Sequence, residues 1–302
     1  MVYRIQSNGG EKMKKIALVA FTGLLVLSTI LFAQECLVPS YEEGAPYVNE
    51  HPDRVPSVYP YFNTWKNSPI VIGHGGFTEQ EFFSRGDPEK PPVKGAVLKF
   101  IKAYNHGFLF GNDKTKPTKH HGEQVVFYIM NGTGTVTSAG KTVPIGEGSG
   151  VFIPVDVEYS FANTAGDLLE VIIIVEGIPK DFTPKKAMSV KSYNDPAPGF
   201  WGNYITHDLF NIKDGLAEPM SIFVVTVNSF KSGVPHYHVE GCEEIWTKVK
   251  GEENILMLGK TMLRQNVGEA FLAPTLIPHS VINQTESPMA WLYMGNRHDK
   301  EK

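Results

Sequence analysis

The chain has 302 residues, 42% of them hydrophobic and 20% charged, with a formal net charge of −4. That balance fits a globular protein with length for about two domains, and it excludes a basic surface built for nucleic acid or an anionic membrane. Twenty-nine glycines and twenty-one prolines favour a turn-rich β architecture over a helical bundle, and two cysteines exclude a disulfide-held scaffold.

From Met13 the sequence runs "MKKIALVAFTGLLVLSTILFAQEC". Basic, apolar and small residues follow one another in the layout of a secretory signal peptide, cut after Ala33. Residues 1–33 are therefore read as a signal peptide, with the better initiator at Met13. A single membrane anchor is the alternative, because the apolar run is near the lower limit for spanning. "FAQEC" lacks the small residue that a lipoprotein needs before its cysteine. The expected destination is secreted or periplasmic, with no stable membrane insertion after cleavage. Export permits a disulfide between Cys36 and Cys242.

Residues 34–94 are rich in proline, aromatics and polar side chains, and read as an extended arm followed by irregular packing. From about residue 95 short β-branched and aromatic runs alternate with glycine: "VLKFIKAY", "EQVVFYIMNGTGTV", "GVFIPV", "LEVIIIVEG". This is the texture of a sandwich or barrel over residues 95–180. Residues 181–200, with several prolines and charges, read as a linker. Short strands then resume over 201–302, in "SIFVVTVNSF", "EEIWTKVKG", "ENILML", "EAFLAP" and "MAWLYMG".

The chain repeats itself. Gly132, Gly148, Pro154 and Asn163 recur as Gly251, Gly268, Pro274 and Asn283, offset by 119 and then 120 residues. "GSGVFIPVDVEYSFAN" lies against "GEAFLAPTLIPHSVIN", with Tyr159 where His279 stands. A period of this length is a duplicated domain, so two similar barrels are expected.

The second half carries the chemistry. In extended chain, residues i and i+2 face the same way, so "PHYHVEGCEE" aims His236 and His238 to one side. Glu244 opens the next strand with the same parity, and His279 follows Pro274 by five positions. Three imidazoles and one carboxylate converging in a barrel suit one divalent first-row transition metal: Fe, Mn, Cu, Ni, Zn or Co. Glu243 is an alternative ligand, a neighbour of the ligands or an acid–base candidate. Trp246 shares the parity of Glu244 and reads equally as pocket wall or core. Asn283 reads as a turn or strand-end residue, and Trp201, Tyr204 and His207 as linker packing or a pocket mouth.

These residues resemble the cupin motifs. His236-x-His238 is followed by Glu244, which stands seven positions before Gly251 as the first motif asks, with one extra residue before the glutamate. "GEAFLAPTLIPHSVIN" resembles the second motif through Gly268, Pro274, His279 and Asn283, with Leu276 replacing a glycine. The resemblance covers roughly residues 95–298 and implies an all-β fold of two cupin jelly-roll barrels in tandem. In the first half the frame places Lys119 and His121 at the histidine positions, Val125 or Gln124 at the glutamate and Tyr159 at the last histidine. That set is no divalent site, since an ammonium is not a ligand, although His120 and Glu123 stand nearby.

The resemblance implies a small-molecule substrate and, by analogy, a homodimer. It leaves several activities open: a metal-dependent, dioxygenase-like oxidoreductase acting on plant-derived aromatic or enolic compounds, a non-catalytic ligand or metal binder, a sugar isomerase or lyase, or an oxalate-degrading enzyme. Two-barrel oxalate decarboxylases resemble pairs of complete sites, which counts against the last.

Overall fold

A computed structural model describes residues 57–217 and 220–297. The expected signal peptide, the start of the arm and Cys36 lie outside these residues. Among those described there is no α-helix, only short 3-10 turns and twenty-one strands.

In chain order the strands begin β1 (Phe62–Thr64), β2 (Val71–Gly73), β3 (Phe77–Arg85), β4 (Ala96–Leu98) and β5 (Ala103–Leu109). The first barrel continues with β6 (Glu123–Asn131), β7 (Thr133–Ser138), β8 (Lys141–Gly146), β9 (Ser149–Ile153), β10 (Ser160–Asn163), β11 (Leu169–Gly177) and β12 (Ser189–Ser192). There follow β13 (Gly199–Trp201), β14 (Tyr204–Phe210), β15 (Met220–Val227), β16 (Cys242–Lys250) and β17 (Asn254–Leu258). The chain closes with β18 (Thr261–Gln265), β19 (Glu269–Leu272), β20 (His279–Ile282) and β21 (Met289–Arg297).

The first barrel is a large sheet, β12-β9-β6-β11-β5-β3-β2 with β4 beside β3, facing a small sheet, β10-β7-β8. The second repeats it as β1-β19-β16-β21-β15-β14-β13 facing β18-β17-β20. Strand for strand these are two jelly-roll barrels in tandem, as the repeat implies.

Two expectations about the connecting segments are corrected. Residues 57–94 are not an irregular arm: β2 and β3 extend the first barrel, and β1 pairs antiparallel with β19 of the second. Within the expected linker, β12 pairs with β9. Short strands framed by proline have little periodicity of their own, and the sheet edges that receive them decide their conformation.

The uninterrupted apolar run of β11 has a physical cause. Val171 and Ile173 fill the first barrel with Val125, Phe127 and Phe161, while Ile172 and Ile174 join a core shared with residues of the second barrel. A strand buried on both faces has no polar alternation to show. Between the barrels, Tyr104 Oη lies 2.6 Å from Thr247 Oγ1. Glu176 meets its repeat equivalent, Asn296, there as well. Glu176 accepts from Gln124 Nε2 at 2.6 Å and from the Asn296 amide.

Candidate metal centre

The four ligand-type residues meet. His236 pairs with His279 across an isolated bridge, each backbone N–H donating to the other's carbonyl at 3.2 and 2.8 Å. Leu276 N donates to His238 O at 2.7 Å, fixing the second imidazole to the same loop. Leu276 holds that position at φ +62°, in the left-handed region where glycine is unstrained. Asp156 occupies the matching place in the first barrel at φ +59°.

Strand alternation then sorts the carboxylates. Glu244, Trp246 and Lys248 lie opposite Gly295, Tyr293 and Trp291 on β21, and Glu244 points inward to the histidines. A side chain on Gly295 would collide with the Tyr293 phenol. Glu243 points the other way, so its expected place beside the ligands is corrected. Its carboxylate accepts from the backbone N–H of Lys99, Phe100 and Ile101 at 2.6, 2.9 and 2.8 Å. Three amide donors leave it a fastener between segments rather than an acid–base group.

One ligand atom from each of His236, His238, Glu244 and His279 lies within 4.8 Å of the others. His238 Nε2 is 2.8 Å from Glu244 Oε2, His279 Nε2 is 3.0 Å from Oε1, and His236 Nε2 is 4.0 Å from Oε1. Atoms about 2.1 Å from one ion stand about 3 Å apart at a right angle and about 4 Å apart across it, so the set fits a single cation. Despite their 2.8 Å approach, His238 Nε2 and Glu244 Oε2 are not aligned as a hydrogen bond, and both are buried without a partner. Buried polar atoms of that kind call for an explanation, and shared coordination provides one.

Charge agrees with this arrangement. Burial, and then the neighbouring His279 ring, push His236 down to about 3; burial likewise lowers His279. Both imidazoles are thus held in the neutral, ligating form. Burial opposes ionisation of Glu244, yet the adjoining charge of His238 and the hydrogen bond with His279 outweigh it and hold the carboxyl well below its usual range. His236 Nδ1 lies 2.9 Å from Val234 O, which orients the ring with Nε2 inward.

Aromatic side chains wall the cluster. Trp246 Nε1 donates to Glu244 Oε1 at 2.5 Å, so it is more than core filling. Trp201 meets the His236 ring edge-on at 4.7 Å, Tyr204 stacks on Trp201, and Phe271 approaches His279. Burial, and then the charge of Glu244, raise the Tyr293 phenol well above its usual value. His207 lies elsewhere, edge-on to Tyr193. Asn283 is the turn residue expected, its amide spanning the carbonyls of Val227, Asn228 and Ser287.

In the first barrel the expected register is corrected. The bridge equivalent to His236–His279 is Thr118–Tyr159, and Asp156 N donates to His120 O as Leu276 N does to His238 O. Thr118 and His120, not Lys119 and His121, therefore stand at the histidine positions. His121 is exposed and pairs with Asp156. Val125 lies in the apolar interior at the glutamate position.

A family model for the cupin domain matches residues 110–175, within the first barrel. An uncharacterized protein of Streptomyces coelicolor is 26% identical over 90 residues, covering 29% of this chain and 86% of its own. Among solved structures, a putative glyoxylate induced protein from Pseudomonas aeruginosa matches with a TM-score of 0.59 at 15% identity, over 79% of this chain and 82% of that one. A point mutant of Bacillus subtilis oxalate decarboxylase matches at 0.60 and 12%, over 84% and 81%. Hazelnut vicilin matches at 0.60 and 11%, over 80% and 86%. An enzyme and a vicilin superpose equally well, so the likeness defines a tandem cupin fold and leaves chemistry to the site.

Proposed function

We propose that this tandem cupin binds one divalent first-row transition ion through His236, His238, Glu244 and His279, and is an exported, metal-dependent oxidoreductase of dioxygenase-like chemistry. The observation that carries the reading is the convergence of three imidazoles and one carboxylate, two of whose facing atoms are buried without hydrogen bonds. Nitrogen and oxygen donors in this ratio suit Fe, Mn, Cu, Ni, Zn or Co. When bound, such an ion supplies Lewis acidity and, where it is redox-active, one-electron chemistry. Trp246 holds the carboxylate in place, Trp201 and Tyr204 keep water from His236, and the protonated Tyr293 phenol stands beside Glu244. The surrounding indole and phenyl faces suit a flat aromatic or enolic substrate. Export rests on the segment from Met13 to Ala33.

A second reading is a binder without turnover. It is favoured by burial: His236, His238, Glu244 and His279 are 2%, 4%, 1% and 1% exposed, so a substrate reaches them only if the wall moves.

Elemental analysis of protein isolated from its native compartment, followed by oxygen-electrode assays with flavonols, catechols and oxalate, separates the two. About one equivalent of a redox-active metal with oxygen uptake is expected. Metal without uptake or turnover leaves the binding reading, and protein free of any such metal sinks both.

A further inference from the structure

The first barrel has lost two of the three motif histidines and the glutamate, yet it holds a different polar cluster. His74, on the turn between β2 and β3, adopts φ +44°, a left-handed conformation that costs a non-glycine residue strain. Its side chain is only 9% exposed. The Nδ1 atom lies 2.6 Å from Glu79 Oε1, and the other oxygen of Glu79 accepts from Asn105 Nδ2 at 3.0 Å. Glu79 is itself 2% exposed. Its carboxylate takes up the space where a Cβ on Gly73 would stand, so the glycine is needed for this close approach. A buried carboxylate is thus committed to orienting one imidazole.

With Nδ1–H directed at Glu79, the lone pair of His74 lies on Nε2, and that atom is buried with no hydrogen-bond partner. The ring lies 4.9 Å from the ring of His120. The three imidazoles of the second barrel are 4.2, 5.0 and 5.3 Å apart, so this spacing falls among theirs. His120 Nε2 is 3.0 Å from the Tyr159 hydroxyl, the separation of adjacent donor atoms on one ion about 2.1 Å away. His120 and Tyr159 are the repeat equivalents of His238 and His279. His74 enters from the β2–β3 turn, and Phe127 lines the same space, edge-on to its ring.

We propose that the first barrel holds a second transition-metal site, formed by His74, His120 and Tyr159 with Glu79 as the outer carboxylate of His74. Two imidazoles and a phenol oxygen suit Cu2+, Zn2+ or ferric iron, and a carboxylate behind a ligating histidine is a recurrent support for such ions. A purely structural His74–Glu79 pair accounts for Nδ1 but not for the buried, partnerless Nε2. Binding would release the Tyr159 proton, which burial otherwise retains by raising the phenol.

The test is independent of the second barrel. Full-length protein carrying His236→Ala and His279→Ala is stripped with a chelator and titrated with Cu2+, with absorbance and circular dichroism recorded. One equivalent is expected to bind, with a visible phenolate-to-copper band that Tyr159→Phe abolishes. Adding His74→Ala is expected to weaken binding at least 100-fold, and Glu79→Gln roughly 10- to 100-fold. If the background variant misfolds, the otherwise unaltered chain is used, and His74→Ala should lower its capacity from two equivalents to one. The proposal is overturned if the background variant binds no copper. It is equally overturned if His74→Ala leaves binding unchanged, or if Glu79→Gln lowers only the melting temperature.

Discussion

The indole N–H of Trp246 donates to Glu244 Oε1 at 2.5 Å, although the two residues are successive inward positions of one strand. The bond turns a wall residue into a support for the carboxylate, which also lies 3.0 Å from His279 Nε2 through the same oxygen.

Trp246→Phe keeps the aromatic bulk and removes the donor. Metal affinity is expected to fall roughly 10- to 100-fold, measured by competition against a chromophoric chelator. An unchanged affinity would mean that the histidines alone fix Glu244.

His236→Ala and His279→Ala are each expected to abolish binding at the second-barrel centre, whereas His121→Ala, which alters an exposed residue paired with Asp156, should retain it. Equal loss in all three would place the ion elsewhere. Metal content per folded chain is the readout.

Glu176 predicts a pH dependence. Burial, reinforced by the charge of Glu243, raises its carboxyl to about 8 against the hydrogen bonds of Gln124 and Asn296. The folded protein therefore keeps a proton that the unfolded chain loses above about 4.5, so stability falls as pH rises through that window. The cost reaches up to about 5 kcal/mol above pH 8. Glu176→Gln mimics the protonated form: in urea titrations it should be more stable than the parent at pH 8–9, with the gain vanishing below about pH 5.

Asn283→Ala leaves several buried carbonyls short of a donor. A loss of about 2–4 kcal/mol is expected in chemical denaturation. Asn163→Ala, whose amide spans Leu109, Phe110 and Asp167 in the same way, should cost about as much. A large difference between the two would show that the repeats do not carry equal loads.

Legibility followed distance along the chain. His236, His238 and Glu244 could be read because strand parity acts over a few residues, and His279 because Gly268 and Pro274 frame its turn. Glu243 was misplaced for a related reason: parity separates it from Glu244, but the amides of residues 99–101 that claim it lie far back in the chain. The first-barrel register slipped by one because its loop has one residue fewer, His120 to Val125 against His238 to Glu244. His74 and Glu79 gave no signal, since the residues that surround them lie on later strands. The strands within 57–94 were hidden likewise, β1 being specified by its partner on β19.

That pairing ties Phe62 to Phe271 and Thr64 to Glu269. The earliest strand described finds its strand pairing on one of the last, so completion of the second sheet waits for nearly the whole polypeptide. Native contacts between such remote segments form slowly, and until they do the edge of β19 stays open to wrong partners. If the chain is exported, one that crosses a membrane before folding avoids that hazard, because both halves of the clasp then arrive on the same side together.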